Sequence, residues 1–141
     1  MKAEWELPAP DTLRLYRGPD LVFASDRHWL HPLFELEEFL ARSGQETAGT
    51  CLLDRVTGRA AAFLLVRLGI RNLSTLALSR RALPVLVRFG VVVQARTTVD
   101  RIGCATEDLL AAVEDPEAAW VLLQERRRRA GPSIPNGHGR L

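Results

Sequence analysis

The chain has 141 residues, of which 47% are hydrophobic and 26% charged, and its formal net charge is +2. This length fits one domain that buries about two-thirds of its unfolded surface, and so small a charge gives no general attraction for nucleic acid. No apolar run approaches the roughly 20 residues that cross a bilayer, and the acidic N-terminus does not resemble a secretory signal. Two cysteines form no disulfide framework, so we expect a cytoplasmic protein.

The first third of the chain predicts a hairpin and a helix. Two short apolar runs, Thr12–Tyr16 and Leu21–Ala24, flank the turn-forming segment Arg17–Asp20, which is typical of a β-hairpin. Apolar residues at helical spacing then predict a helix over Pro32–Leu40, which Ser43 and Gly44 end.

Strands and helices alternate through the middle of the chain. The apolar run Thr50–Leu53 predicts a buried strand, and the amphipathic segment Ala60–Leu68 predicts the helix that follows it. A second strand is expected over Leu73–Leu78. Ser79 is then a suitable N-cap for a helix over Arg80–Phe89.

One more strand and two more helices complete the predicted domain. They are expected over Val91–Ala95, Cys104–Val113 and Pro116–Arg127, with Asp115 as the N-cap of the last helix. Alternating strands and helices favour a three-layer α/β/α sandwich, with a mixed sheet of about five strands, an N-terminal hairpin and parallel crossovers.

The domain boundaries follow from composition. We expect an N-terminal extension over residues 1–11, a single domain over 12–129, and a disordered tail over 130–141, which is rich in glycine and proline. The run Arg126–Arg129 could bind nucleic acid or could complement the negative end of a helix dipole. No aromatic residues are interleaved with it, so we favour the helix-end role.

Several segments between Gly49 and Gln124 resemble an uncharacterised bacterial and archaeal family with a cytidine-deaminase-like fold. The most specific is Asp54–Ala62, which includes a glycine, a basic residue and three alanines. The others are Leu64–Val66, Leu68–Ile70, Ser79–Leu83, Gly90–Val91, Cys104 with Glu107, and Asp115–Glu117. The resemblance implies a deaminase-like fold, in which zinc ligands sit at two helix N-termini, but it implies no established activity.

The residues of a zinc deaminase are mostly missing. Such an enzyme has His or Cys at one helix start, glutamate two residues later, and Cys-x-x-Cys at a second helix start. At the first predicted helix start, Gly58–Ala61 supplies neither a zinc ligand nor the glutamate. The second helix start has Cys104, with Glu107 where the second cysteine would be. Catalytic zinc takes three protein ligands, so we expect no metal, no cofactor and no classical deamination. His28 and His31 offer a metal alternative, but an exposed or capping role suits them better.

The helix N-termini that remain could form a pocket for an anion. Five residues are candidates to line it: Asp54, Gly58, Arg59, Cys104 and Glu107. Unpaired N–H groups and the helix dipole favour phosphate or carboxylate, Gly58 lets the main chain approach, and Arg59 could bind the anion through two donors. Alternatively, Arg59 pairs with Asp54 or Glu107 and closes the pocket.

Three functions remain open. The first is a deaminase-fold domain without zinc chemistry that binds a small anionic ligand or nucleotide. The second is an enzyme with Cys104 as nucleophile, supported by Asp54, Arg59 and Glu107. The third is a structural module that acts through an oligomeric interface, compatible with a homo-oligomer. None involves a membrane, and nucleic-acid binding is disfavoured.

Overall fold

The computed structural model describes residues 7–100, 110 and 112–129. Within these residues, the chain forms five strands and four helices in an alternating order. They are β1 (Leu13–Arg17), β2 (Asp20–Ser25), α1 (His31–Ser43), β3 (Thr50–Thr57), α2 (Arg59–Arg67), β4 (Asn72–Ser79), α3 (Leu83–Arg88), β5 (Val92–Val99) and α4 (Pro116–Arg129).

The strands form one mixed sheet in the order β2-β1-β3-β4-β5. Strand β1 is antiparallel to both β2 and β3, whereas β3, β4 and β5 are parallel to one another. The N-terminal hairpin, the mixed five-stranded sheet and the parallel crossovers through α2 and α3 are therefore as the sequence predicted. Parallel neighbours need a crossover connection, and the short apolar helices between these strands provide it.

Helix α2 lies at the centre of the core. All eight residues from Arg59 to Val66 are buried, which is typical of a helix that is apolar on every side and not of the amphipathic helix that was predicted. It contacts β3 below it and α1, α3 and α4 around it. The largest fully buried side chains include Phe63 of α2 and Phe34 of α1, packed with leucines of the first strands.

The ends of α1 and α4 follow their sequence signals. Gly44 ends α1 in the left-handed conformation with φ 71°, and its N–H donates to the Leu40 carbonyl. Helix α4 begins at Pro116, and the Asp115 carboxylate accepts from the Ala118 N–H at 2.9 Å. The prediction of Asp115 as N-cap is confirmed.

Two predicted boundaries in the middle of the chain are wrong. Strand β3 continues to Thr57 instead of ending at Leu53, so Asp54 lies within the strand, between Leu13 of β1 and Thr75 of β4. The helix predicted over Arg80–Phe89 is only Leu83–Arg88. A longer helix would place Pro84 in its interior, where proline lacks the N–H and its ring clashes with the preceding turn.

Ser79 is not the N-cap of that helix. It is the last residue of β4, its hydroxyl accepts from the Arg81 N–H at 3.1 Å, and its carbonyl accepts from the Ala82 N–H at 2.9 Å. These bonds close a turn, because a short polar side chain can bond to nearby main chain outside a helix. Strand β5 is also longer than predicted, since it continues past Ala95 to Val99 alongside the end of β4.

The C-terminal predictions are tested in part. Residues 101–109, 111 and the predicted tail 130–141 lie outside the described residues. Where the predicted helix Cys104–Val113 is described, at positions 110, 112 and 113, the chain forms a turn, so the prediction is wrong there. At the other end, Leu7 is buried, and its carbonyl accepts from Arg55 at 3.0 Å. In the described residues, no helix has the length and apolarity that crossing a membrane requires.

Candidate functional site

The candidate site lies where β3 ends and α2 begins. Ligands of open α/β sheets commonly bind at the carboxyl ends of parallel strands, and here β3 and β4 end side by side. Gly58 alone separates β3 from α2, with extended main chain and no side-chain cap on the first turn. Gly58 and Arg59 thus lie at the carboxyl end of β3, whereas Asp54 lies three residues before that end, inside the strand.

Asp54 is a buried carboxyl group at this edge. Its relative exposure is 8%, and the hydroxyl of Thr57 donates to its Oδ2 at 3.0 Å. Burial raises the pKa of Asp54 from 3.8 to about 7, although Thr57 and the main-chain N–H groups of Arg55 and Val56 favour the ionised form. Thr75 lies across the strand, with its Oγ1 3.0 Å from that of Thr57. Burial therefore favours the protonated form of this carboxyl group well above the pH at which an exposed aspartate ionises.

Arg59 fills the space at the start of α2. Its side chain is only 7% exposed, yet its donors are used by groups from two distant parts of the chain. Nε donates to the Leu110 carbonyl at 2.8 Å, and Nη1 donates to the Arg81 carbonyl at 3.1 Å. Nη2 donates to the Val113 carbonyl at 2.5 Å and to the Glu114 carboxylate at 3.2 Å. The guanidinium joins α2 to the turn after β4 and to residues 110–114.

The acceptors are oriented by local turns. The Ser79 hydroxyl bonds to the Arg81 N–H, which closes the turn that carries the Arg81 carbonyl. The Val113 N–H donates to the Leu110 carbonyl at 3.0 Å, which closes the second turn. The Phe63 ring lies 5.2 Å from the Arg59 Cζ, so an aromatic face covers the guanidinium.

The prediction that Arg59 pairs with Asp54 is wrong. Its carboxylate partner within the described residues is Glu114, whose side chain is 67% exposed, whereas the side-chain partner of Asp54 there is Thr57. Arg59 leaves the first turn of α2 toward α3 and the C-terminal segment, away from β3. The other predicted partner, Glu107, and the candidate nucleophile Cys104 lie outside the described residues.

Sequence reasoning missed Thr57, Thr75 and Glu114. The positions of the two threonines depend on β3 extending past Leu53, because the register of the longer strand places Asp54 beside Thr75. The pattern of residues 54–57 carried a usable signal, since Asp and Thr three positions apart can bond locally. No local pattern in the sequence indicates the contact between Glu114 and Arg59, because the two residues lie 55 positions apart.

The two histidines that were considered as metal ligands have different environments. His31 begins α1, and its ring meets Trp29 and Phe34 edge-on at 5.2 and 6.4 Å. Burial, and then Arg27 and Arg127, lower the pKa of His31, which favours the neutral ring. His28 is exposed. Across the described part of the chain, no three His, Cys, Asp or Glu residues are grouped to bind a metal.

Cys51 and the arginine run have the environments of structural residues. Burial raises the pKa of the half-buried Cys51 thiol, which keeps it protonated and unreactive. In the run at the end of α4, the Arg127 guanidinium lies 4.5 Å from the centroid of the Phe34 ring, and Arg128 pairs with Glu125. Both side chains therefore have contacts within the domain.

These observations define an α/β domain with a mixed five-stranded sheet and a buried arginine where a pocket was expected. Residues 12–126 match the family model described as TM1506, a domain of unknown function (DUF1893). The chain belongs to this family, which agrees with the expectation of an uncharacterised family.

A solved structure of the same family has a similar fold. It is a DUF1893 family protein (TM1506) from Thermotoga maritima, with a TM-score of 0.75 and 21% sequence identity. The match covers 82% of this chain and 80% of that chain. No protein with a curated functional description matches this chain.

Proposed function

We propose that this domain has a cytidine-deaminase-like, three-layer architecture whose zinc site has been lost, and that it acts through protein contacts and not as an enzyme. The parallel strands β3 and β4, with α2 starting directly after β3, support the architecture. The start of α2, where a deaminase would carry its ligand and glutamate, has Gly58, Arg59 and alanines instead.

The observation that carries this proposal is the closed environment of Arg59. All three nitrogen atoms of its guanidinium donate within the domain, to three carbonyl oxygens and one carboxylate. An anionic ligand would have to compete with Glu114 and with carbonyl groups fixed by turns. An anion that drew the guanidinium away would leave the partly buried carbonyl oxygens of Arg81 and Val113 without this donor, and a buried oxygen atom without a donor costs about 1–3 kcal/mol.

Two alternatives have weaker support. Binding of a small anion or nucleotide would rest on the uncapped first turn of α2 at Gly58, beside a carboxyl group, Asp54, that repels anions when ionised. An enzyme that uses Cys104 as nucleophile stays a prediction, because Cys104 lies outside the described residues. The interaction module is therefore the function that the geometry favours.

The proposal is tested by asking whether the site binds anions and whether the chain assembles. Inorganic phosphate and a nucleoside monophosphate are titrated into isotope-labelled protein, with the amide signals of Gly58–Ala61 as the readout and those around Gly44 as the control. We expect no saturable change below about 1 mM, and self-association in sedimentation velocity. Saturable shifts confined to the α2 signals, in a chain that stays monomeric, would show that the domain binds an anion instead.

A further inference from the structure

The histidine that begins α1 lies in a cluster of aromatic rings. The His31 ring meets the rings of Trp29 and Phe34 edge-on, at 5.2 and 6.4 Å between centroids. The Trp29 and Phe34 rings are 6.0 Å apart. Trp29 has the left-handed conformation, with φ 61°, which is uncommon for a bulky residue. The imidazole is therefore partly shielded from water by a local structure that the chain adopts at some cost.

Positive groups from three parts of the fold lie near this imidazole. Arg27 lies in the segment before α1, and the Arg127 guanidinium of α4 lies on the Phe34 ring, with its Cζ 4.5 Å from the ring centroid. The first turn of α1 has no acidic residue and no side-chain cap, so the positive end of the helix dipole also acts on His31. Burial, and then Arg27 and Arg127, lower the pKa of His31. The surroundings thus favour the neutral ring.

The carboxylate that favours the charged ring already has partners. Glu35 lies one turn further along α1, and its charge raises the pKa of His31. Its Oε1 accepts from the Ser25 hydroxyl at 2.7 Å, and its Oε2 accepts from Arg27 Nη1 at 2.8 Å. Glu35 therefore holds Arg27 in place. The positive group that can move away from a protonated His31 is Arg127.

Helix α4 is held more loosely at its C-terminal end than near its middle. Near the middle, the Trp120 ring lies 5.7 Å from the Phe34 ring, and the Arg67 guanidinium lies 4.0 Å from the Trp120 centroid. At the end, Arg127 reaches Glu38 of α1 at 3.9 Å, with side chains 37% and 59% exposed. Such exposed ion pairs contribute little to stability. Added repulsion at the start of α1 can therefore break the contact between Arg127 and Phe34.

We propose that protonation of His31 releases the C-terminal end of α4 from α1, so that the contact between Arg127 and Phe34 is a pH-sensitive latch. A charged imidazole adds a third positive charge beside Arg27 and Arg127, and partial burial weakens the screening of that charge by water. If the released helix end favours protonation, then protonation favours the released end by the same factor. The inference does not depend on the function proposed above.

Solution NMR measures the latch directly. At pH 7.5, we expect nuclear Overhauser effects between the Arg127 side-chain protons and the Phe34 ring. With the ordinary pKa of 6.5 in the released state, His31 is about nine-tenths protonated at pH 5.5. The ratio of docked to released ends then falls by up to about tenfold. The effects at Arg127 should weaken at pH 5.5, whereas those between Trp120 and Phe34 should persist. Effects at Arg127 that are the same at both pH values would overturn the inference.

Variants of the two histidines separate His31 from other groups that titrate in this range. His31→Phe keeps an aromatic ring that cannot ionise, so the contact between Arg127 and Phe34 should persist at pH 5.5. His31→Gln is a second variant, in case the larger ring disturbs the packing. His28→Gln is the matched control, because His28 is exposed, and it should respond to pH as the wild type does. If both His31 variants still lose the contact at pH 5.5, another group controls the latch and the inference is wrong.

Arg127→Gln tests the same coupling from α4. Removing the guanidinium charge should raise the pKa of His31 toward 6.5, as measured from the imidazole C–H signals. Arg88→Gln, which removes another arginine on a different helix, should leave this pKa unchanged. If Arg127 only packs against Phe34, its replacement leaves the His31 titration as in the wild type, and that result would refute the latch.

Discussion

Replacing Arg59 by methionine should destabilise the domain strongly. Methionine keeps most of the aliphatic length but removes the donors that Arg59 supplies to the carbonyl oxygens of Leu110, Arg81 and Val113. The Leu110 oxygen keeps the Val113 N–H. A buried carbonyl oxygen that loses its donor costs about 1–3 kcal/mol, and the oxygens of Arg81 and Val113 are partly buried, so the total loss should be about 2–4 kcal/mol. For a chain of this size, such a loss corresponds to a fall of roughly 7–14 °C in melting temperature.

The assay is urea unfolding followed by tryptophan fluorescence and circular dichroism. The transition midpoint should fall while the slope with urea stays the same, because the folded structure is retained. Arg59→Lys should lose less than Arg59→Met, since one ammonium group keeps the charge but cannot bond to all of these acceptors.

Arg88→Met is the matched control. Arg88 also contacts Glu114, through Nη1 at 3.3 Å, but its side chain is 56% exposed. Exposed ion pairs contribute about 0–1 kcal/mol, so this variant should stay close to wild type. If Arg59→Met loses no more stability than Arg88→Met, the buried guanidinium does not hold α2 to the turn at Arg81 and to residues 110–114.

Three further predictions concern pH, backbone conformation and metal content. Asp54 binds its proton more tightly in the folded state than in the unfolded state, so the free energy of unfolding should fall as pH rises from about 4 to about 7. The rise in its pKa from 3.8 to about 7 corresponds to a fall of roughly 4 kcal/mol in that free energy. Asp54→Asn should remove this slope in urea titrations at several pH values, and a wild-type profile without the slope would contradict the raised pKa. Gly69→Ala should cost more than Gly44→Ala in thermal unfolding. Both glycines have positive φ, which is strained for alanine, but only a Cβ at Gly69 would clash, at 2.8 Å from the Thr47 hydroxyl; one at Gly44 would meet nothing within 4 Å. Equal losses of stability in the two variants would show that this clash has no effect. The purified protein should contain no stoichiometric zinc, and elemental analysis that finds about one zinc per chain, lost in Cys104→Ala, would refute this.

The sequence predicted those parts of the fold that local signals control. The hairpin around Arg17–Asp20 and the end of α1 at Gly44 depend on turn residues and periodicity within a few positions. The end of β3 could not be predicted in this way, because Asp54 and Thr57 read as polar loop residues. They remain in the strand because they bond to each other and to Thr75 from the neighbouring strand.

The sequence indicated the junction of β3 and α2 but not the contacts of its side chains. The order strand, glycine, helix placed Gly58 and Arg59 at this junction, whereas Asp54 lies inside β3 instead of ending it. The direction of the Arg59 side chain depends on the turns at Arg81 and Leu110. Those turns lie 22 and 51 positions away along the chain, and no local pattern around Arg59 indicates which carbonyl groups will reach it.

The distance along the chain between Arg59 and its acceptors has a consequence for synthesis. Helix α2 is complete long before the ribosome adds Leu110, Val113 and the residues of α4 that pack on it. A nascent or truncated chain that ends before Leu110 therefore carries an almost entirely apolar helix and a guanidinium that lacks its C-terminal acceptors. Partly folded chains with exposed apolar surface are aggregation-prone and need chaperones. Helix α4, which packs on α2, is thus synthesised well after the core helix that it covers.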